Sequence, residues 1–581
     1  MSTPSVSAKG FSFTTGLVVV LCAVAMAAAQ TAQTVKPSNR QTVKPSSPVF
    51  RRVIERVTSL DPVEAASVYA ARCVALTYET LLEYDYEARP YRLKPCLATA
   101  LPAVSDDGLT YTFTIDTNAC FTADACFGEA GTRPVSAEDF VYALKRLADA
   151  KVPSSGYWLL DGRVAGIETF HEASKGPEPT DYALDVPGLR ALSADTLQIR
   201  LSAPSPVFLW MLAMPYAAAV PREAVDFYGD RFREHPVGTG PYALESWRRN
   251  YKMTYRRNDA WRGWRDAGEG TLAKIVFPLI DDPSTQWLAF LSGELDLQGE
   301  VPRDNWDQVV MPDGSLNPSL AARGIVLDTV PTLEVSYIGI NMEDPLLGTN
   351  RFLRQALNAA FDAARWESYY RGRAAASNGP VPPRVAGATT NALPCGRGTE
   401  VAARLLEKAG YPGGRDPATG RRLRLTLDLG KTTQDMREST ELIVAFMDRC
   451  GIELVPEYSN WPTFLKKVSQ RRSQLFRIAW VGDYPDAENF LQLFYGPNAS
   501  PGPNRCNYAN PEFDRLFREA MAATDEARRL ELYGKLQEIV REDSPWIFMS
   551  FATSASLHHD SLLNYRPHDF PYGMEKHFRK R

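Results

Sequence analysis

The chain has 581 residues, 44% of them hydrophobic and 23% charged, with 65 Lys and Arg against 69 Asp and Glu for a formal net charge of −4. That length exceeds what one core can serve and calls for two or three domains. Charges of both signs mix along the chain with no basic stripe and no acidic tail, which argues against a nucleic-acid partner.

Residues 16–29 form an apolar run too short to span a bilayer comfortably, and it ends in Ala27-Ala28-Ala29, a small-residue cleavage pattern. Cys22 follows Leu21 rather than a small residue, so a soluble exported protein cleaved near Ala29 is expected, not a lipid-anchored one. No later segment is long and apolar enough to cross a membrane. Residues 30–48 repeat Gln-Thr-Val-Lys-Pro-Ser at 33–38 and 41–46 and read as a disordered linker.

Beyond the signal, Cys73, Cys96, Cys120, Cys126, Cys395, Cys450 and Cys506 make an odd number, so at least one thiol lacks an intramolecular partner. Cys120 and Cys126 flank a loop short enough for a local disulfide. With no C-x-x-C and only six His, neither a metal site nor a cofactor is expected.

Asp107-Gly108 predicts a turn, and Leu109, Tyr111, Phe113 and Ile115 alternate as a half-buried strand. Ser136-Ala137-Glu138-Asp139 resembles an N-cap, followed by Phe140, Val141, Leu144 and Leu147 at helical spacing. Leu197, Ile199 and Leu201 form a further alternating strand. Gly238-Thr239-Gly240-Pro241-Tyr242 lacks the third Gly of a phosphate loop, and Pro241 removes an N–H donor, so a tight turn before a strand is expected. Residues 401–409 predict a helix stopped by Gly410 and Pro412. A strand over 423–429, a helix over 433–449, a strand over 452–458 and another within 471–482 complete an α/β wind. Adjacent His558 and His559, if on a strand, face opposite ways and do not make a metal pair.

The most informative stretch is Arg477-Ile478-Ala479-Trp480-Val481-Gly482-Asp483-Tyr484-Pro485-Asp486. Apolar residues lead into an acidic, aromatic turn, as in a buried strand whose C-terminal end delivers a carboxylate into a cleft. Asp483 there either receives a cationic ligand group, or caps a turn, or pairs with a nearby Arg; its residues alone leave all three open. No G-x-S-x-G elbow, Walker A sequence or H-E-x-x-H helix appears, and the acid pairs Asp281-Asp282 and Asp483/Asp486 lack an activated nucleophile, so no enzyme is expected. Tyr157-Trp158, Trp461 and Trp480 fall near loops, where aromatic rings wall ligand cavities.

Taken together, separated blocks make the chain resemble the family 5 extracellular solute-binding proteins, the peptide-binding components of ABC importers. These are Ser59-Leu60-Asp61-Pro62, Tyr78-Glu79-Thr80-Leu81-Leu82, Asp107 to Phe113, Val135 to Phe140, Gly238 to Tyr242, Ser292-Gly293-Glu294-Leu295-Asp296, Arg354-Gln355-Ala356-Leu357-Asn358, Trp480 to Asp486, and Asn510-Pro511-Glu512-Phe513-Asp514. The resemblance implies an α/β, periplasmic binding protein-like class II fold, with two α/β lobes joined by a hinge plus an extra α+β lobe. Lobe I would comprise 50–92, 236–328 and 546–581, lobe II 93–235, and lobe III 329–545. Ligand would be trapped between lobes I and III.

The same resemblance assigns Asp483 to a peptide's α-ammonium and places Trp480, Val481, Arg477, Trp461 and Tyr157 beside the peptide. It gives Ala66 and Val68 main-chain pairing with it. An acidic residue of the oligopeptide binders is replaced here by Ala66 and a basic one by Val468, leaving Arg471 and Arg472 as nearby candidates for the ligand's carboxylate. The expected function is a periplasmic, monomeric receptor that hands oligopeptides to an inner-membrane ABC permease. The alternatives are another solute, such as a metal chelate or oligosaccharide, and remotely a secreted hydrolase.

Overall fold

Three β-sheets carry the architecture of the computed structural model, which describes residues 48–581 except 66, 267, 303 and 304. The expected export signal, the linker through residue 47 and Ala66 lie outside the described residues. In the first sheet the strand order is Val49–Arg51, Lys274–Pro278, Lys252–Arg257, Tyr242–Arg248, with the first pair parallel. The second is antiparallel: Ala103–Val104, Thr110–Thr114, Thr196–Arg200, Leu189–Ser193.

The third sheet has seven strands. Leu297–Gln298, Trp546–His559, Ile325–Ile340, Leu475–Val481, Arg424–Leu429 and Glu453–Tyr458 follow in order, and Ala374–Ala376 pairs the second of them off this path. Arg424–Leu429 runs parallel to both Glu453–Tyr458 and Leu475–Val481, as the α/β wind predicted. The sheet is nevertheless mixed, because the long strands Ile325–Ile340 and Trp546–His559 pair antiparallel. Their register shifts between Pro331 and Val335 and again between Ser336 and Tyr337.

The predicted elements form where their patterns placed them. Helix Ala137–Ala148 begins with a capping box in which the Asp139 carboxylate accepts the Ser136 N–H at 2.8 Å. Helix Gln434–Asp448 starts on the Thr433 cap, one residue inside the predicted span at each end. The strand expected within 471–482 is shortened to Leu475–Val481, since Arg471 takes a left-handed turn (φ 61°) after the preceding helix.

Several of the sequence blocks turn out to hold one another. Arg146 grips Asp61 through two hydrogen bonds of 2.7 and 2.6 Å, both side chains buried. The Gly238–Tyr242 turn packs on the end of helix Val68–Thr77. There the Gly240 N–H donates to the Thr77 carbonyl at 2.7 Å, and a Cβ at Gly238 would sit 2.2 Å from that same oxygen. That contact, not a phosphate, is what the two glycines admit. Asn358, on helix Arg351–Ala360, donates to the Trp546 carbonyl (2.6 Å) and accepts the Phe548 N–H (3.0 Å), tying the helix to strand Trp546–His559.

One core runs under the first two sheets and past residues 464–517. A second lies between the α/β wind and its helices, with Leu425, Leu427, Leu429, Phe446 and Trp366 in it. A third gathers Trp287, Phe290, Trp306 and Leu557.

The seven described cysteines are all unbridged, so the local disulfide that the short Cys120–Cys126 loop would permit is not formed. Cys120 is held in a bridge to Pro134, while the Cys126 thiol turns to Asp124. His558 and His559 do point opposite ways: His558 Nε2 lies 3.2 Å from Asp328, and His559 Nε2 lies 2.9 Å from the Phe290 carbonyl.

Candidate functional site

The three parallel strands present their carboxyl ends together at Leu429, Tyr458 and Val481, the edge where open α/β sheets bind ligands. Strand Leu475–Val481 ends at Gly482, whose N–H donates to the Leu333 carbonyl at 2.8 Å. A Cβ at Gly482 would come within 2.9 Å of the Phe490 ring, so only glycine lets the turn close here.

Three carboxylates follow, and their surroundings separate them. Asp486 caps the turn, accepting the Glu488 N–H at 2.9 Å and the Tyr533 hydroxyl at 2.7 Å. Glu488 accepts the Tyr484 hydroxyl at 2.5 Å, and burial pushes its carboxyl up to about 7. Asp483 alone opens to solvent. It forms no ion pair among the described residues, so the turn-capping role belongs to Asp486 and the Arg pairing is not made.

The Asn489 side chain holds Asp483 in place. Its carbonyl accepts the Asp483 N–H at 3.1 Å and the Trp480 indole N–H at 2.9 Å, and its amide lies 3.4 Å from the Asp483 carboxylate. Although its surface is open, protein atoms crowd Asp483 closely enough that desolvation raises its carboxyl above the usual range, with the Asn489 bond opposing. Tyr84, Tyr216 and Tyr572 lie within electrostatic range of it. Burial raises all three phenols first, Tyr216 to about 12, and the Asp483 charge adds to the rise in each. A carboxylate free of a cationic partner among the described residues suits an alkylammonium group by charge.

On the strand itself Arg477, Ala479 and Val481 share one face and Trp480 the other. Val481 is 63% exposed. Arg477 donates to Ser439 Oγ at 2.8 Å and lies 5.2 Å above the Trp366 ring, with no acidic partner among the described residues. Trp480 is half-buried against the first core. Trp461 stacks on Phe464 at 5.4 Å beside Gly430, at the end of the neighbouring parallel strand, and is 46% exposed.

Glu334 pairs across the ladder with Val481 and opens a cavity of about 280 Å³ that also touches Arg373, Trp306 and Ser554. Through Gly299, Glu300 and Val301 it adjoins a second cavity, of about 730 Å³, that reaches Val68. A trough thus runs from Glu334 to Val68. Val68 opens helix Val68–Thr77, so its N–H belongs to the first helical turn and has no intrahelical acceptor.

Tyr157 is not brought to the carboxylate in the same way. Its ring stacks on His171 at 4.1 Å, while its neighbour Gly156 abuts Tyr216. Val468 is buried in the first core. Arg471 pairs with Glu343 at 2.5 Å and Arg472 bonds to Gln470, both at the start of the strand that Asp483 ends. Both therefore lie at the opposite end of that strand from Asp483. Sequence reasoning missed Asn489 and the three tyrosines, which carry no local signature.

The family model "Bacterial extracellular solute-binding proteins, family 5 Middle" matches residues 92–502. Heme-binding protein A of Haemophilus influenzae is 26% identical over 481 residues, 81% of this chain and 80% of its own length. The periplasmic oligopeptide-binding protein OppA of Salmonella typhimurium is 26% identical over 553 residues, 93% and 92% of the two chains. Among solved structures, HbpA2 from Haemophilus parasuis superposes with a TM-score of 0.76 at 22% identity, covering 92% of this chain and 100% of that one. The chain belongs to the bacterial extracellular solute-binding proteins, family 5.

Proposed function

We propose that this protein is the periplasmic receptor of a peptide ABC importer, binding oligopeptides by their amino termini and delivering them to an inner-membrane permease. One observation carries the reading: Asp483 is a partly desolvated carboxylate with no cationic partner among the described residues, set past the carboxyl ends of parallel strands within electrostatic range of three tyrosines. Crowding by protein makes the charge of this carboxylate costly even at an open surface, and a ligand ammonium relieves that cost. The names of relatives such as OppA support peptide as the cargo.

In this reading the lobes are 50–92 with 236–328 and 546–581, then 93–235, then 329–545. Strands Ile325–Ile340 and Trp546–His559 pass between the first and third of these, and their irregular register near Pro331–Val335 is where the hinge bends. The Val68 N–H supplies main-chain pairing, which gives affinity indifferent to side chains. The receptor acts as a monomer and performs no chemistry on its cargo.

The test is to titrate tri- to pentapeptides into purified, ligand-stripped protein by calorimetry and thermal shift. At a hundredfold excess over Kd a true ligand adds about 2.7 kcal/mol of stability. Mass spectrometry of co-purified cargo that finds a non-peptide solute, together with no binding across a diverse peptide pool, overturns the proposal.

A further inference from the structure

The 730 Å³ cavity at the Val68 end of the trough contains the two guanidinium groups of Arg52 and Arg72. Arg72 is only 6% exposed. Burial and the neighbouring Arg72 charge together lower the pKa of Arg52 to about 10, which still leaves it cationic at neutral pH. Both arginines have a buried Nε–H that finds no acceptor.

Among the described residues, Glu575 is an acid that acts on both. Glu575 Oε1 lies 3.5 Å from Arg72 Nε, too far for a good hydrogen bond, and Glu575 Oε2 is itself unpartnered. Burial raises the Glu575 carboxyl, and the two arginines oppose that rise. The two other acids on the cavity are engaged elsewhere or peripheral. Glu55 hydrogen-bonds Tyr69, and Glu300 is exposed at the rim near Glu334.

Two enclosed guanidinium groups with unfilled donors and a shared, poorly placed carboxylate are an incomplete arrangement. A guanidinium fork is matched by the two oxygens of a carboxylate. We propose that the Arg52–Arg72 cavity binds a carboxylate of the cargo, so that the protein selects acidic ligands. Resting on the peptide reading, this assigns the group either to the peptide's C-terminus or to an Asp or Glu side chain. The cavity is large enough for either.

Calorimetry with Ala-Ala-Glu-Ala and Ala-Ala-Gln-Ala, each with a free or amidated C-terminus, tests it and separates the two sources. The form carrying the bound carboxylate binds about tenfold tighter than its neutral counterpart, as a charge-assisted hydrogen bond predicts. Arg52→Met abolishes that ratio. Gly299→Ala reduces it without changing charge, because the new Cβ would lie 2.9 Å from Arg52 Nη2 and displace the guanidinium. Affinities of all four peptides within about twofold, or an Arg52→Met variant that keeps the ratio, overturn the proposal. Should no peptide bind, the peptide reading fails by itself. Glutarate, compared with NaCl at equal ionic strength in thermal shift, then decides the cavity: stabilisation of the wild type but not of Arg52→Met upholds it, and equal responses overturn it.

Discussion

The amide of Asn489 lies 3.4 Å from the carboxylate of Asp483, and this fully buried residue is the only side chain among the described residues that donates to it. The Asn489 carbonyl meanwhile fixes the Asp483 N–H and the Trp480 indole, so one side chain sets the position of both. Asn489→Ala leaves those donors unpaired and lets Asp483 swing. Peptide affinity should fall about tenfold, in keeping with 1–3 kcal/mol for an orphaned buried polar group. Unaltered calorimetric affinity in a folded Asn489→Ala protein would remove Asn489 from this positioning role.

Asp483→Asn keeps shape and removes charge. Losing one partner of an enclosed, hydrogen-bonded charge pair costs about 2–5 kcal/mol, so peptide binding should weaken by at least an order of magnitude. N-acetylation of the peptide should do the same to the wild type. The two changes together should cost little more than either alone, since both break one contact. Full additivity in that cycle would place the ammonium elsewhere.

Glu488 makes stability depend on pH. Its carboxyl titrates near 7 when folded and at its ordinary 4.5 when unfolded, so between those values the folded chain binds more protons. Stability therefore falls as pH rises from about 4.5 to 7, by an amount on the order of 3 kcal/mol for a shift of this size. Glu488→Gln still accepts from Tyr484 and carries no charge. Its Tm should exceed the wild type's at pH 8 and change less between pH 5 and 8. Asp486 and Asp483, both raised by burial, leave a residual slope of the same sign. Parallel Tm profiles for the two proteins would contradict this account.

The Arg146–Asp61 pair is a structural tie rather than a binding element. Asp61→Ala strands a buried guanidinium, and urea unfolding should show a loss of about 3–5 kcal/mol. A loss under about 1 kcal/mol would mean that water reaches the pair.

Gly240→Ala tests the turn against helix Val68–Thr77. The new Cβ would lie 2.6 Å from the Thr77 carbonyl carbon, which is backbone and cannot step aside cheaply. Overpacking of this kind costs about 1–3 kcal/mol, readable as a lowered Tm.

Regular elements were legible because their signals are local. The Ser136–Asp139 capping box and the Leu425, Leu427, Leu429 alternation each sit within a few residues, and each element formed as read. Asp483 could be singled out because strand, glycine and acid are contiguous. Its supporting groups could not be: Tyr84, Tyr216 and Tyr572 come from segments far apart in the chain and meet only in the folded molecule. Arg471 and Arg472 misled for the complementary reason. Nearness in sequence to Val468 says nothing about which end of a strand a side chain occupies, and seven extended residues carry the chain about 23 Å.

The pairing of Ile325–Ile340 with Trp546–His559 also governs how the molecule comes into being. Every rung of that ladder joins residues more than 200 positions apart, and the edge strand Leu297–Gln298 takes its ladder from the late one as well. The central sheet therefore cannot close until residue 546 and beyond have been synthesised, and loop closure of that length makes the step slow. Until then Ile325–Ile340 has Leu475–Val481 along one edge and an unpaired row of N–H and C=O groups along the other.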